Sequence, residues 1–221
     1  MRRDGPVTGL LGGSFNPAHG GHRRVTLLSI DALKLDEAWW LVSPGNPLKP
    51  KKGMAPLPER VKSAMGQARR APIRVSAIEQ RLGTRYTVDT IRALLRRYPR
   101  RRFVWLMGSD NLAQFHRWKD WRRIARSVPI AVIARPGYDD IALASPAMAW
   151  LRRYRLPASR LRNRGEWSAP ALIELRFDPD PRSATAIRQA DPDWAGALEG
   201  PPPRDQITHS PIHQTYRRRG A

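Results

Sequence analysis

Short apolar, β-rich runs alternate with helical patterns along most of this chain. Six such runs are present, at residues 7–11, 38–42, 73–77, 103–107, 130–134 and 171–175. Strands that alternate with helices predict a parallel sheet with helices packed on it. We therefore expect an α/β fold with a doubly wound parallel sheet and flanking helices.

Between the apolar runs, hydrophobic residues recur at spacings of three and four, as they do on one face of a helix. This pattern predicts helices over residues 21–35, 88–98 and about 111–126. Thr87 is a cap candidate for the second helix, and Ser109 and Asp110 are cap candidates for the third.

The pattern weakens after residue 134. Residues 136–170 are interpreted as a lid or insertion outside the core. Residues 199–221 contain three consecutive prolines and three consecutive arginines and show no apolar period. We interpret them as a disordered tail.

Composition narrows the class of protein. The chain has 221 residues and no cysteine, which excludes disulfides, thiolate nucleophiles and cysteine-ligated metals. No apolar run is long enough to span a bilayer, and no apolar stretch follows Met1, so a soluble cytoplasmic protein with no membrane partner is expected. The net charge of +21 favours anionic partners, which could be phosphorylated small molecules, nucleic acid or acidic membrane surfaces, or it reflects a solvated surface.

The stretch GGSFNPAHGGH, residues 12–22, directly follows the first apolar run. Glycines at the end of a parallel strand allow a ligand to approach the backbone, and they permit positive φ angles. The free N–H groups at the start of the next helix favour an anion. The stretch therefore predicts a phosphate site, although its spacing matches neither a P-loop nor a dinucleotide fingerprint.

Two histidines, His19 and His22, lie three residues apart near the predicted helix start. They can face one ligand, where an imidazolium would stabilise charge on phosphoryl oxygens. As an isolated pair they could equally be surface histidines. A metal site is not expected, because no third ligand is evident.

These residues resemble the GGSFDPxHxGH signature of the HxGH nucleotidyltransferases, with Asn16 at the usual aspartate position. The segments RYTVDT (85–90) and WLMGSDNL (105–112) are similar, in order and spacing, to those of bacterial nicotinate-nucleotide adenylyltransferases. The segment SATAIR (183–188) resembles the second signature, usually ISSTxIR. The resemblance covers about residues 7–190.

The resemblance implies a Rossmann-like fold and transfer of AMP from ATP to nicotinate mononucleotide, giving deamido-NAD and pyrophosphate in NAD biosynthesis. It implies a nucleotidyltransferase domain over residues 1–190 and a partly disordered C-terminal segment over 191–221. ATP is then the co-substrate, and Mg²⁺ is held mainly by its phosphates. Oligomeric state is left open, a homo-oligomer being one option, and no specific nucleic acid is expected as a partner.

The resemblance also implies the site residues. On the ATP side, the catalytic residues are His22, His19 and Arg188, and the nucleotide contacts are Gly12, Gly13, Ser14, Phe15, Lys49, Ser183 and Thr185. On the acceptor side, backbone N–H groups near residues 84–87 would receive the pyridine carboxylate, and the candidates are Thr84, Arg85, Tyr86, Thr87, Asp110, Trp118 and Arg135.

Simpler interpretations of these acceptor residues remain open. Trp118 could belong to the core, Asp110 could be only a helix cap, Arg135 could be solvated, and Tyr86 could be packing.

Alternative functions also remain. The acceptor could be nicotinamide mononucleotide or phosphopantetheine, or the chain could be a basic nucleic-acid-binding protein whose binding would not need either histidine. Leu48 and Ala184 depart from the family pattern, as does the sequence after Arg188.

Overall fold

A computed structural model of the chain describes residues 5–45, 53–134, 137, 139–163, 167–178 and 180–214. All six predicted strands are present, as β1 (Val7–Gly13), β2 (Glu37–Val42), β3 (Ile73–Ser76), β4 (Arg102–Gly108), β5 (Ile130–Ile133) and β6 (Leu172–Leu175). They form one parallel sheet in the order β3-β2-β1-β4-β5-β6. The doubly wound α/β prediction is confirmed, with the chain reversing direction across the sheet between β1 and β4.

Helices connect the strands. They are α1 (Gly20–Leu33), α2 (Leu57–Ala68), α3 (Ile78–Leu82), α4 (Thr87–Arg97), α5 (Ser109–Gln114), α6 (Trp121–Ser127), α7 (Asp139–Leu143), α8 (Pro146–Leu151), α9 (Ala158–Arg162) and α10 (Ala184–Ala190). Within the described ranges, none of these helices has the length and apolarity that a membrane span requires.

The core lies on both faces of the sheet. Alternate strand residues face opposite sides, so Trp39 and Trp105 pack with α4, α5, α6 and α8, whereas Trp40 packs on the other side with α2. Val104, Leu106 and Ile173 form the rest of that second side. Two buried layers on one sheet explain why the strands are almost uninterruptedly apolar.

The predicted single helix over 111–126 is wrong. The structure has α5, a 3₁₀ turn at Phe115–Arg117 and then α6. Asp120 takes a left-handed conformation with φ 48°, which breaks the helical path. The cap predictions are also wrong, because Gly108 precedes α5 with Ser109 and Asp110 inside it, and Thr87 is the first residue of α4 rather than its cap.

The interpretation of residues 136–170 as a lid or insertion is wrong for the described part of that segment. Ala142, Met148 and Leu151 are buried in the core beside α5, and Leu161 of α9 is buried near α1. The helices here are short and carry few apolar residues each, so their sequence period is too brief to recognise.

The interpretation of residues 199–221 as a disordered tail is wrong for residues 199–214, while 215–221 lie outside the described residues. The backbone N–H of Gln206 donates to the Val75 carbonyl at 3.1 Å, and the Gln206 amide oxygen accepts from the Val75 N–H at 2.7 Å. Asp205 accepts from the Ser76 hydroxyl and the Ala77 N–H, and Ile212 is buried against α2. The segment thereby covers the edge strand β3 mainly with hydrogen bonds, and Ile212 adds one buried apolar contact.

Candidate active site

The glycine-rich turn lies at the carboxyl end of β1, beside the ends of β2 and β4. In open α/β sheets, this edge next to the reversal of strand order is where ligands bind. The turn runs from Gly12 through Ala18 into α1, so both predicted histidines open the helix at that edge.

His19 and His22 cap the first turn of α1 reciprocally. Nδ1 of His19 accepts from the N–H of Gly21, and Nδ1 of His22 accepts from the N–H of His19, each at 3.2 Å. A ring nitrogen that accepts carries no proton, so the neutral rings carry theirs on Nε2. The caps therefore fix each Nε2–H as a donor, and the two ring centroids lie 3.9 Å apart.

The imidazole of His22 is supported by buried aromatic rings. The ring centre of Phe15 lies 5.0 Å from that of His22. The Phe15 ring also stacks on the Trp40 ring with 5.0 Å between their centres, and Phe15 and Trp40 are both buried. The Trp40 indole N–H donates to the Thr26 hydroxyl, which donates to the His22 carbonyl. Phe15, which was predicted as a wall of the nucleotide site, therefore lies beneath His22 with little of its own surface exposed.

The glycines are explained differently from the sequence prediction. A Cβ on Gly12 would come within 2.8 Å of the Trp105 ring, and one on Gly13 within 3.2 Å of Phe15. The positive φ of this turn, 47°, belongs to Phe15 and not to a glycine. The missing side chains at Gly12 and Gly13 thus first make room for the aromatic rings of Trp105 and Phe15.

The second signature meets the first at this edge. Ser183 caps α10 through the Ala186 N–H, at 3.1 Å. Arg188 donates to the Asn16 carbonyl at 2.5 Å and to the Thr185 hydroxyl at 3.2 Å. One guanidinium therefore joins the turn that carries the histidines to the helix that carries Thr185.

An ion pair that the sequence analysis missed lies against the same turn. Asp180 accepts from Nε of Arg182 at 2.8 Å and from Nη2 at 2.6 Å. Nη1, on the other edge of the guanidinium, lies so close to Gly20 that a Cβ there would collide with it. Arg182 holds the pKa of Asp180 well below its usual range, so the pair stays ionised at neutral pH.

Two further buried residues fix the turn. The Asn16 amide donates to the Gly53 carbonyl at 2.8 Å and accepts from the Ala55 N–H at 3.1 Å, a pairing that needs both ends of an amide. This accounts for asparagine at the position where the family signature has aspartate. Arg60, 1% exposed, donates to the carbonyls of Ser14, Ser43 and Ala55. Burial lowers its pKa to about 10.

In the sequence, Asn16 is visible only as a departure from the family signature, and little distinguishes Arg60. A lone arginine on an amphipathic helix is usually solvated. The one available indication is that Arg60 directly precedes Val61 on the face that Leu57, Val61 and Ala64 bury.

The predicted acceptor loop precedes α4. The N–H of Thr84 donates to the Glu79 carbonyl at 3.1 Å, so Thr84 is not available to a carboxylate through its backbone, contrary to the prediction. The N–H groups of Tyr86 and Thr87 stand at the start of α4, where the first N–H groups have no partner within the helix. Residues 85–87 therefore remain as the backbone donors of this loop.

Trp118 and the acceptor loop come together through Lys119. The Lys119 ammonium lies 4.6 Å from the centre of the Tyr86 ring and 3.3 Å from the Asp89 carboxylate. Trp118 is partly buried, with its ring 5.3 Å from Phe115 and 6.2 Å from Trp105. It thus packs at the rim of the core, on a bend and not on a helix face.

The structure gives less information on the remaining predicted residues. Lys49 and Arg135 lie outside the described residues. Asp110 curls back over Gly108 at the end of β4. Among the described residues, no group of three or more histidine, aspartate or glutamate side chains is arranged to hold a metal ion.

Comparison with known proteins identifies the family of this chain. The cytidylyltransferase-like family model matches residues 10–190. The fold and the site therefore define a member of the cytidylyltransferase-like family, to which this chain belongs.

Curated relatives narrow the family further. A protein of Erythrobacter litoralis, named probable nicotinate-nucleotide adenylyltransferase, is 69% identical over 205 residues, covering 93% of this chain and 94% of the relative. A relative of the same name from Parvibaculum lavamentivorans is 53% identical over 185 residues, covering 84% and 92%. The chain belongs to the nicotinate-nucleotide adenylyltransferases.

A solved structure supports the fold alone. The Plasmodium falciparum nicotinic acid mononucleotide adenylyltransferase complexed with NaAD superimposes with a TM-score of 0.62 over 83% of each chain, at 14% identity. At that identity the likeness extends to the Rossmann-like architecture and not to individual residues.

Proposed function

We propose that this chain transfers AMP from ATP to nicotinate mononucleotide, giving deamido-NAD and pyrophosphate in NAD biosynthesis. The observation that carries the proposal is the Arg188 guanidinium, which bonds the Asn16 carbonyl of the histidine turn and the Thr185 hydroxyl. It joins two signatures that are distant in sequence and places a positive charge between them. The relatives' names support the acceptor.

The chemistry needs no protein nucleophile. A phosphate oxygen of the mononucleotide attacks the α-phosphorus of ATP, forming a new P–O bond while the bond from that phosphorus to the oxygen shared with the β-phosphate breaks. The protein aligns the two phosphates and stabilises the spread charge. Mg²⁺ bound to the phosphates would neutralise part of this charge.

The protein's donors have distinct roles in this proposal. His19 and His22 donate from Nε2, since their Nδ1 atoms are used in capping α1. Arg188 supplies positive charge at the same edge, and Ser183 and Thr185 contact the triphosphate, as the family resemblance implies. The imidazoles therefore act as neutral donors while the charge comes from arginine.

The acceptor would lie between the loop before α4 and Trp118. Backbone N–H groups of residues 85–87 would receive the pyridine carboxylate, with Trp118 against the ring. A carboxamide keeps one acceptor oxygen but turns the other into an NH2 donor, so any loop N–H that faces this NH2 group would be left unpaired, at a cost of about 1–3 kcal/mol. We therefore propose that the enzyme prefers the acid mononucleotide to the amide. We also propose that its partners are small molecules rather than nucleic acid, and that it acts in the cytoplasm.

The test is release of pyrophosphate from ATP and Mg²⁺ when nicotinate mononucleotide is added, compared with nicotinamide mononucleotide and phosphopantetheine. Turnover fastest with the acid mononucleotide supports the proposal. Absence of turnover with every pyridine mononucleotide would overturn it.

A further inference from the structure

Glu79 is a buried acid that the proposed reaction does not use. It belongs to α3, directly between the end of β3 and the acceptor loop, and it is 8% exposed. Burial raises its pKa to about 7, with opposing hydrogen bonds from Thr90 and Ser43. Among the described residues no cation contributes to this shift, so the acid is costly to bury and its position calls for an explanation beyond packing.

The carboxyl group of Glu79 holds the acceptor loop through threonine hydroxyls. Oε1 lies 3.2 Å from the Thr90 hydroxyl oxygen, which lies 2.8 Å from that of Thr84. The Glu79 carbonyl also accepts the Thr84 N–H at 3.1 Å. The backbone and the side chain of one residue thus fix the point where the loop begins.

The number of protons makes this network directional. Thr90 has one hydroxyl proton, and its possible acceptors are Glu79, the Tyr86 carbonyl oxygen 3.3 Å away and the Thr84 hydroxyl oxygen 2.8 Å away. If Thr90 donates to Glu79, Thr84 must donate to Thr90, and both hydroxyls are then committed. Removing the carboxyl group would release Thr84, at the start of the loop, and Thr90, in the first turn of α4, together.

The same carboxyl group connects the loop to the ATP side. Ser43, which bonds Glu79 through its side chain, donates its N–H to the Gly13 carbonyl at 2.9 Å. The Ser43 carbonyl in turn accepts from Arg60. Glu79 therefore lies between the turn of the first signature and the loop that follows α3.

We propose that Glu79 is a positioning residue for the acceptor: it holds residues 84–87 through Thr90 and Thr84 so that the loop's N–H groups meet the pyridine mononucleotide. The proposal rests on the proposed function for the identity of that acceptor. The residue acts through the loop and touches neither substrate.

The test compares Glu79→Leu, Glu79→Gln and Thr90→Val by KM for each substrate, kcat and Tm. We expect Glu79→Leu and Thr90→Val to raise KM for nicotinate mononucleotide at least tenfold while KM for ATP changes less than twofold. Glu79→Gln keeps hydrogen-bonding atoms in place, so it should recover KM to within about threefold. Where Glu79→Leu fails to fold, Thr90→Val carries the test.

Glu37→Gln is the matched control. Glu37 is a half-buried acid at the amino ends of the strands, at the opposite end from the site, and it pairs with Arg74 and Arg101. Its loss should therefore lower Tm without changing either KM. If Glu79→Leu or Thr90→Val lowers Tm but leaves KM for the mononucleotide unchanged, or raises both KM values equally, the positioning role is wrong. Absence of turnover by the unmodified chain would instead contradict the proposed function. In that case, faster amide hydrogen exchange over residues 84–87 in Thr90→Val would still support the role of Thr90 in holding the loop.

Discussion

His19 and His22 cap one another's turn of α1, so the side chains that open the helix are the ones that face the proposed phosphates. Each Nδ1 accepts a backbone N–H at 3.2 Å. The capping atom, Nδ1, and the proposed donor, Nε2–H, therefore belong to the same ring, and a substitution can keep the first while it removes the second.

Replacing His22 by asparagine should remove catalysis while keeping the fold. The Asn side-chain oxygen can take the place of Nδ1 in the cap, but nothing replaces Nε2–H. We expect kcat to fall by about 10²–10³-fold, the loss typical of one transition-state donor, with Tm changing by only a few degrees. Steady-state kinetics and thermal unfolding measure the two effects. His209→Asn, on the C-terminal segment, should change neither, and a His22→Asn variant with ordinary kcat would contradict the donor role.

Replacing Arg182 by alanine should weaken ATP binding. Its guanidinium is fixed by Asp180 with Nη1 against Gly20, beside the proposed phosphates. We expect KM for ATP to rise about 5- to 20-fold, as for loss of a partly exposed charged hydrogen bond. Arg176→Ala, an exposed arginine just beyond β6, is the control. Equal KM values for both variants would mean that Arg182 only pairs with Asp180.

Replacing Arg60 by methionine should destabilise the whole edge of the sheet. Three carbonyls, those of Ser14, Ser43 and Ala55, would lose their donor in a buried place. We expect the free energy of unfolding to fall by about 2–4 kcal/mol, measured by urea denaturation. Arg69→Met, at an exposed position, should cost less than about 0.5 kcal/mol. A similar small cost for both would show that water replaces the guanidinium.

Glu79 should make stability depend on pH. Its pKa is about 7 in the folded chain against an ordinary 4.5, so the folded state binds the extra proton between these values. Its favourable contribution is complete below pH 4.5 and is lost as pH rises through 7, by on the order of 3 kcal/mol. The difference in Tm, Glu79→Gln minus the unmodified chain, should therefore increase as the pH is raised from 5 to 8. Glu199→Gln, an exposed control, should show no such gain, and parallel curves for Glu79→Gln would contradict the shift.

Sequence alone predicted the strands because strands buried on both faces are continuous apolar runs. It missed α2, although Leu57, Val61, Ala64 and Ala68 have helical spacing, because the segment begins beside prolines and carries many polar residues. The interruption at Asp120 depends on one left-handed residue, which no periodicity records. The sequence does not predict the order of the C-terminal segment, because Asp205 and Gln206 attach it through hydrogen bonds and isolated apolar residues such as Ile212 give no period.

The site was predictable as far as its motifs extend. The histidines, Ser183, Thr185 and Arg188 come together at the edge where the motifs place them, whereas Arg182, Arg60 and Glu79 are single charged residues that the sequence does not distinguish from solvated ones. Burial separates Arg60 and Glu79 from solvated residues, and the hydrogen bonds to Asp180 separate the exposed Arg182; both become visible only in the folded chain. Lys49 and Arg135 stay predictions.

The most direct measurement of the central claim is product analysis of one reaction. The purified chain is incubated with ATP, Mg²⁺ and nicotinate mononucleotide, in parallel with His22→Asn, and deamido-NAD and pyrophosphate are quantified. We predict that the unmodified chain forms the two products in equal amounts and that His22→Asn forms at least a hundredfold less. Pyrophosphate without deamido-NAD, or equal formation by the two proteins, would contradict the account.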